Sequence, residues 1–161
     1  MGDEMAADFA LAAVREDGLW SVIPLPPAAA NDLENLIHVL RQQPGDIGAI
    51  GLLSFAEDFF VIVRVHGDSV SMLLSDVTAT FDSPFAGQVL EQLELPMPDG
   101  DDEDDIEPAG DLELLKDLGV SPLLVAELCD DLDLYPDDVF SRLAEHLGFT
   151  EQYDAAMQLV A

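Results

Sequence analysis

The order of apolar and polar positions divides the chain into a strand-rich first part and a helical last part. Residues 8 to 24 read as two short strands around a turn. Phe9 to Val14 is apolar, Asp17-Gly18 supplies the turn, and Leu19 to Ile23 follows with Trp20, the single tryptophan. An Asp-Gly pair between two strand-like runs favours a hairpin. Pro24, Pro26 and Pro27 end the second run. A helix comes next. Asn31 and Glu34 have capping-box spacing. Leu33, Leu36, Ile37 and Leu40 fall at i, i+3, i+4 and i+7, one apolar stripe suited to packing on a sheet. Pro44-Gly45 closes this helix.

Three more strand-like runs follow: Ile47 to Phe55, Phe59 to His66 and Val70 to Asp76. They are joined by Ala56-Glu57-Asp58 and Gly67-Asp68, links short enough to require antiparallel neighbours. In the middle run Phe59, Val61, Val63 and Val65 share one face, and Phe60, Ile62, Arg64 and His66 share the other. A short helix near Ala86 to Glu94 completes an α+β part over residues 1–95. Residues 96–111 read as an acidic Pro/Gly linker, with Pro96, Pro98, Pro108, two glycines and the run Asp101 to Asp105. Like charges repel and proline interrupts regular structure, so an extended segment is expected there.

Residues 112–161 are helical, with helices expected near 112–118, 122–130, 137–147 and 151–159. Leu118-Gly119-Val120-Ser121 recurs as Leu147-Gly148-Phe149-Thr150, 29 residues later. In both, glycine ends one helix and Ser or Thr caps the next, and Pro122 suits a first helical position. The fold class expected is α+β: an N-terminal antiparallel sheet packed with one or two helices, the acidic linker, and a small C-terminal helical bundle.

Charge changes this picture more than length does. Of 161 residues, 49% are hydrophobic, enough to bury a core. The 34 acidic residues against 5 basic ones give a net charge of −29, with 15 acids and 3 bases up to Pro96 and 19 acids and 2 bases beyond it. Affinity for nucleic acid rests largely on Lys and Arg displacing counterions, so direct binding to nucleic acid is not expected. Anionic membranes are disfavoured for the same reason. The electrostatic complement is a basic protein surface; the plainer reading is that acidity only confers solubility. The acidic N-terminus (Met1, Gly2, Asp3, Glu4) is unlike a signal peptide, and no apolar stretch approaches a membrane span, so a cytoplasmic location is expected.

The usual sources of chemistry are missing from the pattern. One cysteine, Cys129, excludes an intramolecular disulfide, and it stands beside Asp130 and Asp131, which disfavour a thiolate. It reads as a small packed residue. Cys129 with the isolated His38, His66 and His146 cannot supply a typical zinc site, and no phosphate-binding or nucleophile-elbow motif occurs. Aligning Asp99, Asp101 and Glu103 with the first calcium-loop ligands leaves Asp104 where glycine is required and Gly110 where a bidentate Glu should coordinate, so that match fails. No cofactor and no metal are expected.

Two features remain as candidate partner-binding residues. Arg64 and His66 lie mid-strand among apolar residues, fitting either a contact face or a face with a salt bridge. The string Cys129-Asp130-Asp131-Leu132-Asp133-Leu134-Tyr135-Pro136-Asp137-Asp138 sets Tyr135 among Asp130, Asp131, Asp133, Asp137 and Asp138. It reads either as a loop that seals the bundle and caps the next helix, or as an acidic rim around an aromatic anchor.

That string, together with Phe59 through Val65, Leu73-Leu74-Ser75-Asp76, Gly110-Asp111-Leu112 and Leu147-Gly148-Phe149, resembles the tRNA adenosine deaminase-associated proteins of actinobacteria. The resemblance runs from about Phe9 to Phe149. It implies association with the enzyme that converts the wobble adenosine of tRNA to inosine, and it assigns no residue a role. Deaminases of that class need H-x-E and P-C-x-x-C. His38-Val39-Leu40, His66-Gly67-Asp68 and His146-Leu147-Gly148 do not fit, so the chain is not expected to perform the deamination. The reading favoured is a non-catalytic accessory or regulatory protein with a basic partner, the deaminase being the candidate. Self-association through the sheet face is the competing reading, and an enzyme acting through paired carboxylates is a third.

Overall fold

β1 (Ala7–Glu16) and β2 (Leu19–Pro24) form the hairpin that Asp17-Gly18 predicts. Asp17 and Gly18 take φ of 53° and 82°, a type I′ turn whose twist matches that of the strands it joins. β1 pairs on its other side with β3 (Ala49–Phe55), β3 with β4 (Phe59–His66), and β4 with β5 (Ser69–Leu74), each antiparallel. β6 (Ala109–Gly110) adds two residues to the outer side of β5, giving the order β2-β1-β3-β4-β5-β6. The computed structural model describes residues 7–26, 32–43, 45–55, 59–77, 83–95, 108–131 and 133–160. Residues 96–107 of the expected linker lie outside the described residues, as does Asn31. From Pro108 onward the chain joins the sheet, and Asp111 N–H donates to Met72 O at 3.0 Å.

Every residue of β3 and β4 is buried except His66. Strands this continuously apolar must be covered on both faces, and they are. On the first face Ala12, Val14, Leu53, Val61, Val63 and Met72 meet α1 (Leu33–Arg41) and α2 (Pro84–Gln92). The stripe Leu33, Leu36, Ile37 and Leu40 is the buried side of α1, as its spacing predicts. Its cap differs from expectation: Asp32 caps the N-terminus of the helix, its Oδ2 accepting Asn35 N–H at 3.1 Å. Two adjacent Asx residues compete for one position, and local pattern alone does not separate them.

On the second face Leu11, Ala13, Ile50, Leu52, Phe60, Ile62 and Leu73 meet α3 (Pro122–Asp130), α4 (Pro136–Leu147) and α5 (Thr150–Val160). Phe140 stands edge-on to Phe9 and Phe60, with ring centroids 6.0 and 5.5 Å away. The helical part therefore packs on the sheet, and the face on which self-association would have relied is covered by helices of the same chain. The echoed corners hold in part: Gly119 and Gly148 both take left-handed φ, 98° and 96°, but Gly119 follows a 3-10 segment rather than a helix, and Thr150 is the first residue of α5 rather than its cap. Ser121 Oγ accepts Leu124 N–H at 3.1 Å, and Pro122 is the first residue of α3.

The helix expected at 112–118 is absent. Turns and a short 3-10 segment at Lys116–Leu118 stand there instead, with Lys116 N–H reaching Glu113 O and Leu118 N–H reaching Leu115 O, both at 3.0 Å. Asp111 Oδ1 takes Glu113 N–H at 2.8 Å, a local bond that competes with helix initiation. In an α-helix Leu114 O would receive Leu118 N–H; here it accepts from Arg64.

Candidate interaction surface

Arg64 lies on β4 toward the C-terminal helices and is 7% exposed. Its Nε and Nη2 donate to Ile47 O at 3.3 and 3.0 Å, and Nη1 donates to Leu114 O at 3.0 Å. Both Nη atoms also reach the Asp117 carboxylate, Nη2 at 3.0 Å from Oδ2 and Nη1 onto Oδ1. These five contacts match the five N–H donors of a guanidinium. None is left for a partner, so of the two readings of this residue the salt bridge is the one realised. It ties the loop before β3 to the segment after β6. The guanidinium beside Asp117 holds that carboxyl below the usual carboxylate range, against a smaller opposing effect of burial.

His66, two residues on, is exposed. It lines a shallow cleft of about 200 Å³ with Arg64, Ser69, Asp111, Glu113 and Asp117. A second surface groove, about 390 Å³, runs past Asp32, Glu34, Gln88 and Glu91, where α1 and α2 approach each other. Leu33 N–H donates to Gln88 Oε1 there at 2.8 Å. Among the described residues, no three His, Cys, Asp or Glu side chains are placed to hold a metal ion.

The described residues of the acidic string run from the end of α3 to the first turn of α4, away from the His66 cleft, whose lining includes none of them. Asp131 Oδ1 accepts Asp133 N–H, and Asp138 Oδ2 accepts Tyr135 N–H, both at 3.1 Å. Asp138 thus reaches back to the residue before α4, the capping role its spacing suggests. Pro136, Val139 and Phe140 then turn inward, and Tyr153 of α5 donates its hydroxyl to Asp137 O at 2.9 Å. Burial, with Asp137, Asp154 and Asp138 nearby, raises the pKa of that phenol, so it stays a neutral donor. The loop is built as a helix-to-helix seal. It also presents a surface: Tyr135 is 59% exposed, and Asp130, Asp131, Asp133, Asp137 and Asp138 are all exposed. Leu132 lies outside the described residues. Cys129, just before the loop, is buried, and burial with Asp130 pushes its thiol up to about 12.

The structure thus separates the sequence candidates into two groups. Tyr135 and its aspartates are all exposed where α3 gives way to α4, whereas Arg64 belongs to an internal bolt and His66 beside it faces outward. Asp117 is the residue that sequence reasoning missed. Among 34 acids, nothing in its neighbourhood marks it as the partner of an arginine 53 residues away.

The exterior as a whole is nearly single-signed. Every described Asp and Glu is exposed except Asp76, which is half-buried. Of the five bases, Arg64 is buried, Arg15 lies 5.6 Å over the Trp20 ring, and Arg41 Nε donates to Gly67 O at 3.4 Å. No described helix is long and apolar enough to cross a membrane.

A family profile described as "Rv3753c-like tRNA adenosine deaminase-associated protein" matches residues 8–150, a span holding all six strands, the Arg64–Asp117 pair and the acidic turn. Protein Rv3753c of Mycobacterium tuberculosis (strain ATCC 25618 / H37Rv) is 36% identical over 151 residues, covering 92% of this chain and 87% of that protein. No solved structure matches the chain. The profile match takes in the sheet and the helices as far as the start of α5, and this chain belongs to the Rv3753c-like tRNA adenosine deaminase-associated protein family.

Proposed function

We propose that the protein is a non-catalytic accessory of a tRNA adenosine deaminase, acting in the cytoplasm and docking through its acidic exterior on a basic face of the enzyme. The family description supplies the association with the deaminase. The observation that supports the mode of binding is the single-signed exterior, in which acids face outward and three of five bases are engaged within the fold. A field of that kind steers association with basic surfaces and repels tRNA itself. Any enzyme that grips tRNA must offer a basic face, so this exterior is complementary to it. The turn around Tyr135 is the part of that exterior with an apolar anchor: an exposed aromatic ring rimmed by five aspartates.

Co-expression with the deaminase of the same organism, followed by co-purification through a low-salt and then a high-salt wash, tests this directly. The expected result is a stoichiometric complex that survives the first wash and dissociates in the second, because exposed charge pairs are screened by salt. Failure to form any complex at low salt would overturn the proposal.

A further inference from the structure

Among the described residues, the sheet ends on one side in a strand without a neighbour. β2 stands last in the strand order, whereas at the opposite end β6 covers part of β5. In a two-residue hairpin the residues flanking the turn, here Glu16 and Leu19, exchange backbone hydrogen bonds, and bonded and non-bonded pairs then alternate. Arg15↔Trp20 and Ala13↔Val22 are therefore non-bonded pairs. Leu25 N–H donating to Ala10 O at 2.8 Å continues the same alternation. The backbone N–H and C=O groups of Trp20 and Val22 consequently point away from β1 into the open edge, where no described residue meets them.

Edge strands are usually blunted by charge, a bulge or a covering element. β2, Leu19-Trp20-Ser21-Val22-Ile23-Pro24, carries no charged residue, and only Pro24 at its end limits pairing. Its two side-chain faces differ. Leu19 and Ile23, 74% and 40% exposed, lie on one face with Ser21 between them. Trp20 and Val22 lie on the other, toward α5, with the Trp20 ring 4.8 Å from Phe149. α5 packs along β2 and carries the exposed Glu151 and Asp154, and Glu16 and Asp17 stand exposed at the turn.

We infer that the open edge of β2 accepts an extended segment of a partner protein in which Lys or Arg alternates with Val or Ile. Trp20 and Val22 supply the main-chain pairing. Because side chains alternate along a strand, the apolar residues of the added segment lie beside Leu19 and Ile23, and its bases run on the α5 side, which carries Glu151 and Asp154 of α5 as well as Arg15 over the Trp20 ring. Charge selects this occupant over a second copy: β2-to-β2 pairing would bring two chains of −29 together. The inference shares with the proposed function only the preference for a basic partner, and it does not require that partner to be a deaminase.

The test titrates the full-length protein at low salt with a capped peptide alternating Lys and Val, followed by Trp20 fluorescence and amide hydrogen exchange. The expected result is a saturable change in Trp20 emission with slowed exchange at the Trp20 and Val22 amides. N-methylation of alternate peptide amides, which leaves its charge unchanged, should weaken binding at least about tenfold by removing the main-chain pairing. Leu19→Lys, at an exposed position outside the core, should weaken it as well. Equal binding of methylated and unmethylated peptides would overturn the inference, since charge attraction alone would then suffice. Absence of binding would overturn it too, as would protection of the two amides that rises with protein concentration without peptide, which would assign the edge to a second copy. Peptide binding at the edge alongside a failed deaminase co-purification would refute the proposed partner and leave the edge site standing.

Discussion

The two faces of one sheet are covered by different means. Under α1 and α2 the buried layer is apolar, and the polar bonds of these helices, Arg41 Nε to Gly67 O and Leu33 N–H to Gln88 Oε1, are exposed or half-buried. Under the C-terminal helices the layer is equally apolar but is crossed by Arg64, bonded to Ile47, Leu114 and Asp117. An apolar layer tolerates sliding, because burial is non-directional. A planar guanidinium with all five donors satisfied fits one arrangement only. A segment arriving from far along the chain, here after residue 107, is thus held by a buried polar contact with many donors, whereas α1 is tied to the β4–β5 turn by the single exposed bond of Arg41.

Damage to the apolar part of the second face has the largest expected effect. Phe140→Ala removes a fully buried ring with two aromatic neighbours and should cost about 3–5 kcal/mol in urea unfolding. Leu36→Ala on the first face should cost about 2–5 kcal/mol. Both layers share the same strands, so each variant should still unfold in one transition; two transitions would show that the faces are separable units.

Arg64→Met tests the bolt itself. The Asp117 side chain, 62% exposed, returns to water, but Ile47 O and Leu114 O lose their donors, for a loss of about 2–4 kcal/mol. Hydrogen exchange should accelerate more in residues 112–130 than in α1. Uniform acceleration would mean that Arg64 adds stability without placing the segment.

Asp117→Asn is the milder form, with an expected loss of about 1 kcal/mol because the pair lies at the surface on the carboxylate side. Its pH dependence has a definite sign. A carboxyl whose pKa is lowered by folding contributes stability that is present above its unfolded value, near 3.8, and is lost as pH falls through the folded value. Acidification also relieves repulsion among the many exposed carboxylates, so the wild-type curve alone is ambiguous. The difference between wild type and Asp117→Asn in urea titrations should shrink as pH drops below about 4. The smallest effect concerns Cys129: with its thiol at about 12, it should resist a thiol-specific reagent at neutral pH until the protein unfolds.

Much of the fold was legible because its signals are local. Asp17-Gly18 marked the hairpin, the stripe from Leu33 to Leu40 marked α1, and Leu147-Gly148 marked the end of α4, each decided within a few residues. The misread segment at 112–118 fails for a nonlocal reason, since Arg64 takes the Leu114 carbonyl that a helix would have used. Two-sided burial was written into the unbroken apolar run of β3, but which segment covers its second face was not. The candidate site divides the same way. The turn around Tyr135 followed from a dense local string, whereas the role of Arg64 depended on a partner that composition hides: in a chain with 34 acids, any arginine has many plausible mates.

The proposed docking of the acidic surface on a tRNA adenosine deaminase is tested by the affinity of the purified protein for that enzyme across a series of salt concentrations. The measurement would be run beside a variant with Asp130, Asp131, Asp133, Asp137 and Asp138 changed to Asn. Kd should rise steadily with salt, and the variant should bind more weakly with a shallower salt dependence. A salt-independent affinity, or a variant indistinguishable from wild type, would contradict the account.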